Sequence, residues 1–223
     1  MKTDLCTALA KHIGETLTVN LAVQLAREMF PDLAHAPQKF GVATYKGYTF
    51  QVERLVTVLP ELHPFHQAHY AETELYRASI PMMPNYDGMK EREQAGQLIQ
   101  FTARSVNGEL AGHMRVYISP SQHTDTLIAT EDSFYFTPAH RGGFLAVRLW
   151  QFVERSVIAI GVREIYFSSK LVNKADAMAR YLKYTPIATR FAKVIDEPTQ
   201  AQECLSFLKE KPCAVPAPPI TAV

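Results

Sequence analysis

The chain is poor in cysteine: Cys6, Cys204 and Cys213 are the only three among 223 residues, and they lie far apart. This spacing excludes a disulfide framework and the closely paired cysteines of zinc or redox motifs, and it favours a reducing compartment. No apolar run approaches the roughly 20 residues that a membrane-spanning helix needs. Residues 1–10 also lack the continuous apolar stretch of a signal peptide. We therefore predict a cytoplasmic protein with no membrane partner.

An excess of charge of either sign is also absent. The 23 lysines and arginines nearly balance the 22 aspartates and glutamates, which gives a formal net charge of +1 at pH 7. The protein as a whole is therefore not expected to attract nucleic acid or an anionic membrane electrostatically, although a local basic patch is compatible with this balance. Hydrophobic residues make up 47% of the chain, as in ordinary globular proteins with a sizeable core.

The residue patterns divide the chain into three parts. In residues 1–40, apolar residues recur at every fourth position, at Leu17, Leu21, Leu25 and Met29. This stripe predicts a helical arm over residues 3–30, which either packs on the main domain or mediates a homodimer. Residues 41–197 form the predicted main domain. Residues 198–223 are predicted to hold a C-terminal helix and a Pro-rich, partly disordered tail.

The main domain begins with β-rich segments and helices. We predict a hairpin or two short strands over Val42–Val58 and an interrupted helical region over residues 61–96. A meander of three strands follows, at Leu98–Val106, Leu110–Ser119 and Thr126–Thr137. Asn107-Gly108 is a strong hairpin signal between the first two of these strands.

The rest of the main domain alternates helices and strands. A helix from Phe144 to Ile160 is predicted to end at Gly161, in the position of a C-terminal glycine. The pattern then predicts a strand, a helix and a last strand, at Val162–Ser168, Asn173–Tyr184 and Ile187–Ile195.

The most informative segment reads Phe134-Tyr-Phe-Thr-Pro-Ala-His-Arg-Gly-Gly-Phe-Leu-Ala146. In it an apolar strand runs into a basic, glycine-containing turn, and a helix opens after the turn. The first N–H groups of a helix lack intrahelical partners and carry the positive end of the helix dipole, so they attract anions. Gly142 and Gly143 let the backbone approach a phosphate closely, and Arg141 offers a charged fork. The alternative is an ordinary surface turn.

The same residues resemble motif A of the GNAT acyltransferase superfamily, in which a strand ends in V-x-P-x-Y-R-G-x-G-x-G/A and the turn holds the pyrophosphate of coenzyme A. Pro138, Arg141, Gly142 and Ala146 match this motif, whereas Phe144 stands at its middle glycine. The order of predicted elements from residue 51 to residue 195 is similar to that fold as well. The Pro-rich loop before the meander also resembles the GNAT proteins of tailed phages and prophages, which would act in the host cytoplasm.

The resemblance implies an α/β (α+β) fold with a mixed central sheet flanked by helices, here with an added N-terminal helical arm. It also implies transfer of an acyl group from acetyl-CoA or another acyl-CoA to an amine. Main-chain groups of Phe134, Tyr135 and Phe136 would pair with the pantetheine amides. The N–H groups that would hold the diphosphate belong to Arg141, Gly142, Gly143, Phe144, Leu145 and Ala146. Asn173 would touch the cofactor arm or serve only as a helix cap.

Acyl transfer to an amine also needs a base. Many GNAT enzymes carry a carboxylate in the strand before the turn, where this chain has Glu131 and Asp132. Side chains alternate along a strand, so only one of the two faces the site. Asp132 is favoured because it shares parity with Phe134 and Phe136, and a solvated strand carboxylate is the alternative for either. His123, in the preceding loop, is a further candidate as a neutral proton relay.

The remaining candidates belong to helices and to the Pro-rich loop. The family places a general acid, a tyrosine, on the helix after the second strand of the site, which makes Tyr181 a candidate here. Tyr86 and Asp87 lie in the region that walls the acceptor cleft in that fold. Three histidines recur at i, i+3 and i+6, but they have no carboxylate or cysteine partner at a fitting spacing, so no metal site is predicted. They are His63, His66 and His69.

Three functions are compatible with these residues. The leading hypothesis is an N-acyltransferase with a small-molecule or macromolecular amine acceptor. A second is a DNA-base modifier on the same fold, as in the Mom-type phage enzymes, although the net charge does not favour nucleic acid. Its basic path would come from Lys90, Arg92, Arg104 and Arg115. A third is a degenerate GNAT domain that binds a partner, a reading favoured by Phe144 in place of glycine.

Overall fold

The computed structural model describes residues 5–18, 21–22, 24–25, 37–77, 79–170, 172 and 175–194. Its centre is one six-stranded sheet whose strands follow one another in chain order. The strands are β1 (Ala43–Tyr45), β2 (Tyr48–Val52), β3 (Leu98–Arg104), β4 (Leu110–Pro120), β5 (Leu127–Phe136) and β6 (Val162–Tyr166). Neighbours from β1 to β5 pair antiparallel, and β5 pairs with β6 in parallel. The predicted mixed sheet of an α/β fold is confirmed.

Helices lie on both faces of the sheet. They are α1 (Leu5–Ala10), α2 (Leu55–Thr73), α3 (Tyr86–Gln94), α4 (Leu145–Ala159) and α5 (Asp176–Tyr181). Helix α4 forms the crossover between the parallel strands β5 and β6, which need such a connection. None of the helices within the described ranges combines the length and the apolar character needed to cross a membrane.

The main core lies between α4 and one face of the sheet. Leu149 and Trp150 of α4 are fully buried and pack in one cluster with Met114, Val116 and Phe136 of the sheet. Because side chains alternate along a strand, the intervening residues of β4 point to the other face, where α2 packs. The apolar stripe of α2 forms a second, smaller cluster beside β4, through Leu55, Val58, Leu62 and Leu110.

The turn signals of the sequence are confirmed. The meander strands fall where the pattern places them, with Gly108 at φ 81° in the hairpin turn. Helix α4 ends one residue before Ile160, and Gly161 follows at φ 92° with its N–H donating to the carbonyl of Ile158 at 2.9 Å. A left-handed residue after a helix end strongly favours glycine, because glycine has no Cβ to clash there.

The predicted strand through Val58 is wrong, because helix α2 begins at Leu55. Leu55, Val58 and Leu62 recur at helical spacing and are all fully buried, so this stripe decides against the alternating pattern. A carboxylate from α3 supports the helix start, since Oε1 of Glu93 accepts the N–H of Leu55 at 2.7 Å. The helix continues through Pro60 and Pro64.

Two further predictions fail at the ends of the chain. The helix over residues 3–30 is interrupted, because residues 11–14 form turns, with Gly14 at φ 91°, and residues 15–18 are not helical. Residues 187–194 form no strand, and the side chains of Ile187 and Phe191 are 72% and 90% exposed, so they lack the cover that a strand would need. Asn173 and the predicted tail over 198–223 lie outside the described residues.

Candidate active site

Strands β5 and β6 separate halfway along β5. Their pairing starts with Leu127 opposite Val162 and ends with Thr130 opposite Tyr166. The second half of β5, from residue 131 to residue 136, keeps β4 as its partner and has no strand on its other edge within the described part of the chain. A free strand edge presents unpaired N–H and C=O groups to which an extended ligand can bind.

The turn after β5 is open around its two glycines. Gly142 has φ 144° and Gly143 has φ 54°, and a Cβ built on either would meet no atom within 4 Å. Phe144 precedes α4 and provides no side-chain cap. In the described residues, the backbone N–H groups of 142–147 have no acceptor, and the first helical bond runs from the N–H of Arg148 to the carbonyl of Phe144 at 2.9 Å. Unsatisfied donors at a helix start form an anion site.

Phe144 does not bury itself in this turn. Its side chain is 47% exposed, and its ring centroid lies 5.5 Å from that of Tyr181 on α5. Tyr181 is itself 59% exposed. The structure therefore brings these two predicted site residues together beside the start of α4.

Arg141 is engaged within the protein. Its Nη1 and Nη2 donate to the two carboxylate oxygens of Glu72 at 2.8 and 2.6 Å, and its Nε donates to the carbonyl of Phe136 at 2.8 Å. The guanidinium also lies over the ring of Tyr135, 4.9 Å from the centroid. Arg141 thus ties the turn to the last residue of β5 and to the end of α2.

Glu131 lies at the point where β5 and β6 separate. It pairs with Val116 on β4, and its Oε2 accepts the backbone N–H of Ser168, the second residue after β6, at 3.3 Å. Burial raises the pKa of Glu131 to about 7, and the neighbouring charge of Asp132 acts in the same direction. A carboxyl group with a pKa near neutrality is suited to accept a proton at physiological pH.

Asp132 is the extra residue of a β-bulge, which the alternation argument did not include. Arg115 lies opposite Ser133 and Val116 lies opposite Glu131, so Asp132 has no counterpart on β4. Its Oδ2 pairs with Nη2 of Arg115 at 2.7 Å. The prediction that Asp132 shares a face with Phe134 and Phe136 is therefore wrong: it faces the side covered by α2.

A polar network fills the space between α2 and the sheet. His66 of α2 is 7% exposed, and its Nδ1 lies 3.0 Å from the hydroxyl of Tyr86. On its other side, Nε2 of His66 lies 3.4 Å from Nη1 of Arg115, which is 6% exposed. His113 is fully buried beneath them, with its ring centroid 5.2 Å from that of His66.

The histidines of this network are neutral at physiological pH. Burial, with a further contribution from the charge of Arg115, lowers the pKa of His66 to about 3. Burial also lowers the pKa of His69 and holds that of His113 well below its usual range. Neutral imidazoles act as directional donors and acceptors of hydrogen bonds.

The network extends along β5 through His69. Nδ1 of His69 lies 3.2 Å from Oγ of Ser133, and its ring lies 5.4 Å from that of Tyr135. His63 shares the partner of His66 instead, because its Nδ1 lies 3.2 Å from the hydroxyl of Tyr86.

A cavity of about 660 Å³ lies between α3 and the end of β4 that carries Tyr117. Tyr117 of β4 is one of its walls, and burial together with the charge of Asp132 raises the pKa of Tyr117. The cavity thus lies next to the bulge of β5. Its lining comes from Asn85, Gly88, Met89, Glu91, Arg92, Ala95, Gln97 and Tyr117.

Other predicted residues lie apart from the cleft or are engaged elsewhere. His123 is exposed in the loop before β5, at the end of that strand opposite to the turn. Asp87 is exposed and pairs with Lys90 at 3.0 Å. Carboxylates also pair with Arg104 and Arg115, two more cations of the hypothetical nucleic-acid path. The last cation of that path, Arg92, lies over the ring of Tyr117.

The sequence analysis missed the contact of His66 with Arg115, and it missed His113, whose ring packs beneath them while its two nitrogens have no hydrogen-bond partner among the described residues. The signal that could have revealed them is alternation on β4, where His113, Arg115 and Tyr117 stand two residues apart. Polar residues repeated on one strand face must meet polar partners if that face is covered.

Comparisons with known proteins identify the family and structures of similar fold. Residues 60–184 match the family model described as the acetyltransferase (GNAT) family. The fold is similar to a tetramutant of the BH1408 protein from Bacillus halodurans, with a TM-score of 0.56 and 11% identity over 66% of this chain and 99% of that one. It is also similar to aminoglycoside acetyltransferase HMB0005 from an uncultured soil metagenomic sample, with a TM-score of 0.55 and 15% identity over 66% and 98%.

A third similar structure is aminoglycoside acetyltransferase meta-AAC0020, from an uncultured soil metagenomic sample, in complex with sisomicin. Its TM-score is 0.54, with 11% identity over 67% of this chain and 97% of that one. A search of curated proteins found no match.

Proposed function

We propose, because the chain belongs to the GNAT acetyltransferase family, that it transfers an acyl group, most simply acetyl, from acyl-CoA to an amine. The observation that carries this proposal is the free edge of β5 leading into an uncapped helix start. An extended donor can pair along the edge while its phosphates accept hydrogen bonds at the turn.

The residues present fit such a donor. The open space at Gly142 and Gly143 admits phosphate oxygens close to the backbone, and the unpartnered N–H groups of 142–147 supply donors. The edge from Phe134 to Phe136 supplies main-chain groups for the pantetheine amides, although the carbonyl of Phe136 already accepts a hydrogen bond from Nε of Arg141. When bound, acyl-CoA supplies the thioester, whose thiolate is a good leaving group.

Glu131 is the proposed general base. It lies where the free edge begins, on the same face of the sheet as Val116 opposite it, so the amine would reach it through the gap between β5 and β6. Its pKa of about 7 lets it take a proton from the attacking amine near neutral pH. Asp132 is bound to Arg115 and is assigned instead to holding that side chain. Tyr181 remains the proposed acid for the leaving thiolate on the family resemblance alone, since its contact with Phe144 places it beside the start of α4, at the diphosphate end of the proposed donor site.

The acceptor is proposed to bind on the side of α2 and α3, where Tyr86 and the cavity lie. An aminoglycoside is one amine to include in an acceptor screen, because two structures of similar fold are aminoglycoside acetyltransferases. Relation to phage proteins and a place in the host cytoplasm remain predictions. A nucleic-acid acceptor has less support, since carboxylates pair with three of the four cations that would form its path.

The substitution Phe144→Asp tests the donor site. Aspartate is a favoured helix N-cap, so its carboxylate will accept from the free N–H groups at the start of α4 and add about 1 kcal/mol of stability. The same carboxylate will occupy the place of the diphosphate and repel its negative charge. We expect calorimetry with acetyl-CoA to show at least a tenfold loss of affinity, while the melting temperature of the free protein rises.

Phe144→Ala is the matched control, because it removes the ring without adding a cap. It should bind acetyl-CoA at least as well as the wild type does. If the aspartate variant is more stable and still binds acetyl-CoA normally, the turn is not the diphosphate site. A wild-type protein that does not bind acetyl-CoA at all would leave only the binding-module hypothesis.

A further inference from the structure

A chain of hydrogen bonds crosses the α2 side of the cleft from Asp132 to His63. Asp132 Oδ2 accepts from Nε of Arg115 at 2.8 Å, and Nη1 of Arg115 lies 3.4 Å from Nε2 of His66. Nδ1 of His66 lies 3.0 Å from the hydroxyl of Tyr86, and this same hydroxyl lies 3.2 Å from Nδ1 of His63. The chain therefore joins β5, β4, α2 and α3.

Arg115 sets the direction of this chain, because a guanidinium has donors and no acceptor. Nε2 of His66 must therefore accept. In a neutral imidazole the other nitrogen then carries the proton, so Nδ1–H of His66 donates to the oxygen of Tyr86. His66 is neutral, since its pKa is lowered to about 3 by burial and by the charge of Arg115.

Tyr86 has a single hydroxyl proton, and we assign it to the hydrogen bond with His63, whose Nδ1 lies 3.2 Å away and is then the unprotonated nitrogen of its ring. In this arrangement His66 fills one acceptor position of the Tyr86 oxygen, and the O–H of Tyr86 donates to Nδ1 of His63. A ligand that reaches this oxygen can then only donate to it. The ring of Tyr86 stacks on that of His66 with centroids 5.7 Å apart, which fixes the position of the ring and therefore of its oxygen.

We infer that Arg115 and His66 are positioning residues that make the hydroxyl of Tyr86 an acceptor-only group, so that this side of the cleft takes a substrate that presents an N–H donor. The inference rests on the proposed function in one respect: the N–H group is taken to belong to the amine that receives the acyl group. It gives a role to two buried polar side chains that do not line the free edge of β5. A carboxylate substrate, which can only accept, gains no hydrogen bond from Tyr86 in this arrangement.

The tautomer of His66 tests the direction of the chain without any assay of activity. Nitrogen chemical shifts and long-range couplings of the imidazole, measured on the full chain, should show a proton on Nδ1 and none on Nε2. In Arg115→Met the donor to Nε2 is lost, and we expect the His66 signal to move towards the Nε2–H form. Arg104→Met is the matched control, because Arg104 also pairs with carboxylates but lies at the end of β3, and it should leave His66 unchanged.

Steady-state kinetics test the substrate side. Tyr86→Phe keeps the ring and removes the hydroxyl, so the KM for the amine should rise about tenfold, as for the loss of one hydrogen bond to a polar substrate. The KM for acyl-CoA should stay the same. Arg115→Met should raise the amine KM in the same direction, whereas Arg115→Lys, which keeps a donor, should restore part of the loss.

The outcomes separate this inference from the proposed function. Failure of the wild type to bind acyl-CoA removes the proposed function and leaves the tautomer measurement valid. A proton on Nε2 of His66 in the wild type overturns the inference, whether or not the protein is active. An unchanged amine KM in both Tyr86→Phe and Arg115→Met also overturns it.

Discussion

At the scale of single residues, Glu131 has the environment that a base requires. Its carboxyl is held by one backbone N–H, from Ser168, and has no cation within salt-bridge distance among the described residues. Burial therefore dominates and raises its pKa to about 7. Asp132 next to it differs, because Arg115 binds its carboxylate. Neighbouring carboxylates in unlike environments are a frequent sign of divided roles.

We predict that Glu131→Gln lowers kcat/KM by at least about a hundredfold, the usual contribution of a general base. In the wild type, kcat/KM should rise with pH and level off above the pKa of about 7, because only the ionised carboxylate accepts a proton. The variant should lose this inflection. Glu109→Gln, at an exposed hairpin position, is the control and should keep the wild-type profile. An inflection near pH 7 that survives in Glu131→Gln would assign it to another group.

The same substitution has a signed effect on stability. The folded pKa of Glu131 lies above its ordinary value of 4.5, so its stabilising contribution is complete below pH 4.5 and is lost as the pH rises through 7. Glu131→Gln removes this loss. Urea denaturation at pH 8 should therefore find the variant more stable than the wild type, by up to about 3 kcal/mol, and this difference should shrink at pH 5.

At the scale of elements, the end of β5 is held by the packing of Phe136 over Gly112. The two residues pair across β4 and β5, and a Cβ built on Gly112 would lie 2.3 Å from the ring of Phe136. That ring is 6% exposed and packs against Phe134, with centroids 5.9 Å apart. It therefore has little room to move, and the position of the free edge depends on this glycine.

Gly112→Ala should accordingly destabilise the protein by about 1–3 kcal/mol, the usual effect of overpacking a core. It should also weaken acetyl-CoA binding, because the ring that anchors the last residue of β5 must shift. Chemical denaturation and calorimetry give the two values. Adding Phe136→Leu to the variant removes the ring atoms in conflict and should restore part of the stability. If the double variant is no more stable than Gly112→Ala, the steric explanation is wrong.

Short sequence patterns predicted those turns, strands and helix ends whose conformation depends on neighbouring residues in the chain. The hairpin at Asn107-Gly108 and the end of α4 at Gly161 follow from turn geometry, and the meander follows from alternation between turns. The start of α2 was missed, because Val56 and Val58 continue the alternation of β2, whereas the buried stripe is the helical one of Leu55, Val58 and Leu62.

The candidate site was predictable only in part, because its decisive features join distant residues. The turn at Gly142 is encoded in one continuous segment. The bulge at Asp132 exists only in relation to β4, and no pattern within β5 indicates an extra residue. The contact of His66 with Arg115 joins a helix to a strand 49 positions along the chain. Sequence periodicity gives the face of each residue and leaves the facing partner unknown.

At the scale of the whole molecule, the end of α2 is tied to the segments after both diverging strands. Glu72 pairs with Arg141 after β5 at 2.6 Å, and Glu74 pairs with Lys170 after β6 at 2.6 Å. Helix α2 also carries the histidines of the acceptor side. The helix thus connects the turn of the proposed donor site to the network of the proposed acceptor site.

This arrangement predicts that Glu72 competes with acyl-CoA for Arg141. In Glu72→Gln the charged partner of the guanidinium is lost, and a negative charge is removed from the mouth of the cleft. We expect calorimetry to show tighter binding of acetyl-CoA, by up to about fivefold, because an exposed ion pair is worth at most about 1 kcal/mol. Glu61→Gln is the matched control, since Glu61 is a partly exposed glutamate of the same helix that pairs with Arg104, and it should leave the affinity unchanged. Weaker binding in Glu72→Gln alone would show instead that the ion pair holds the turn in its binding conformation.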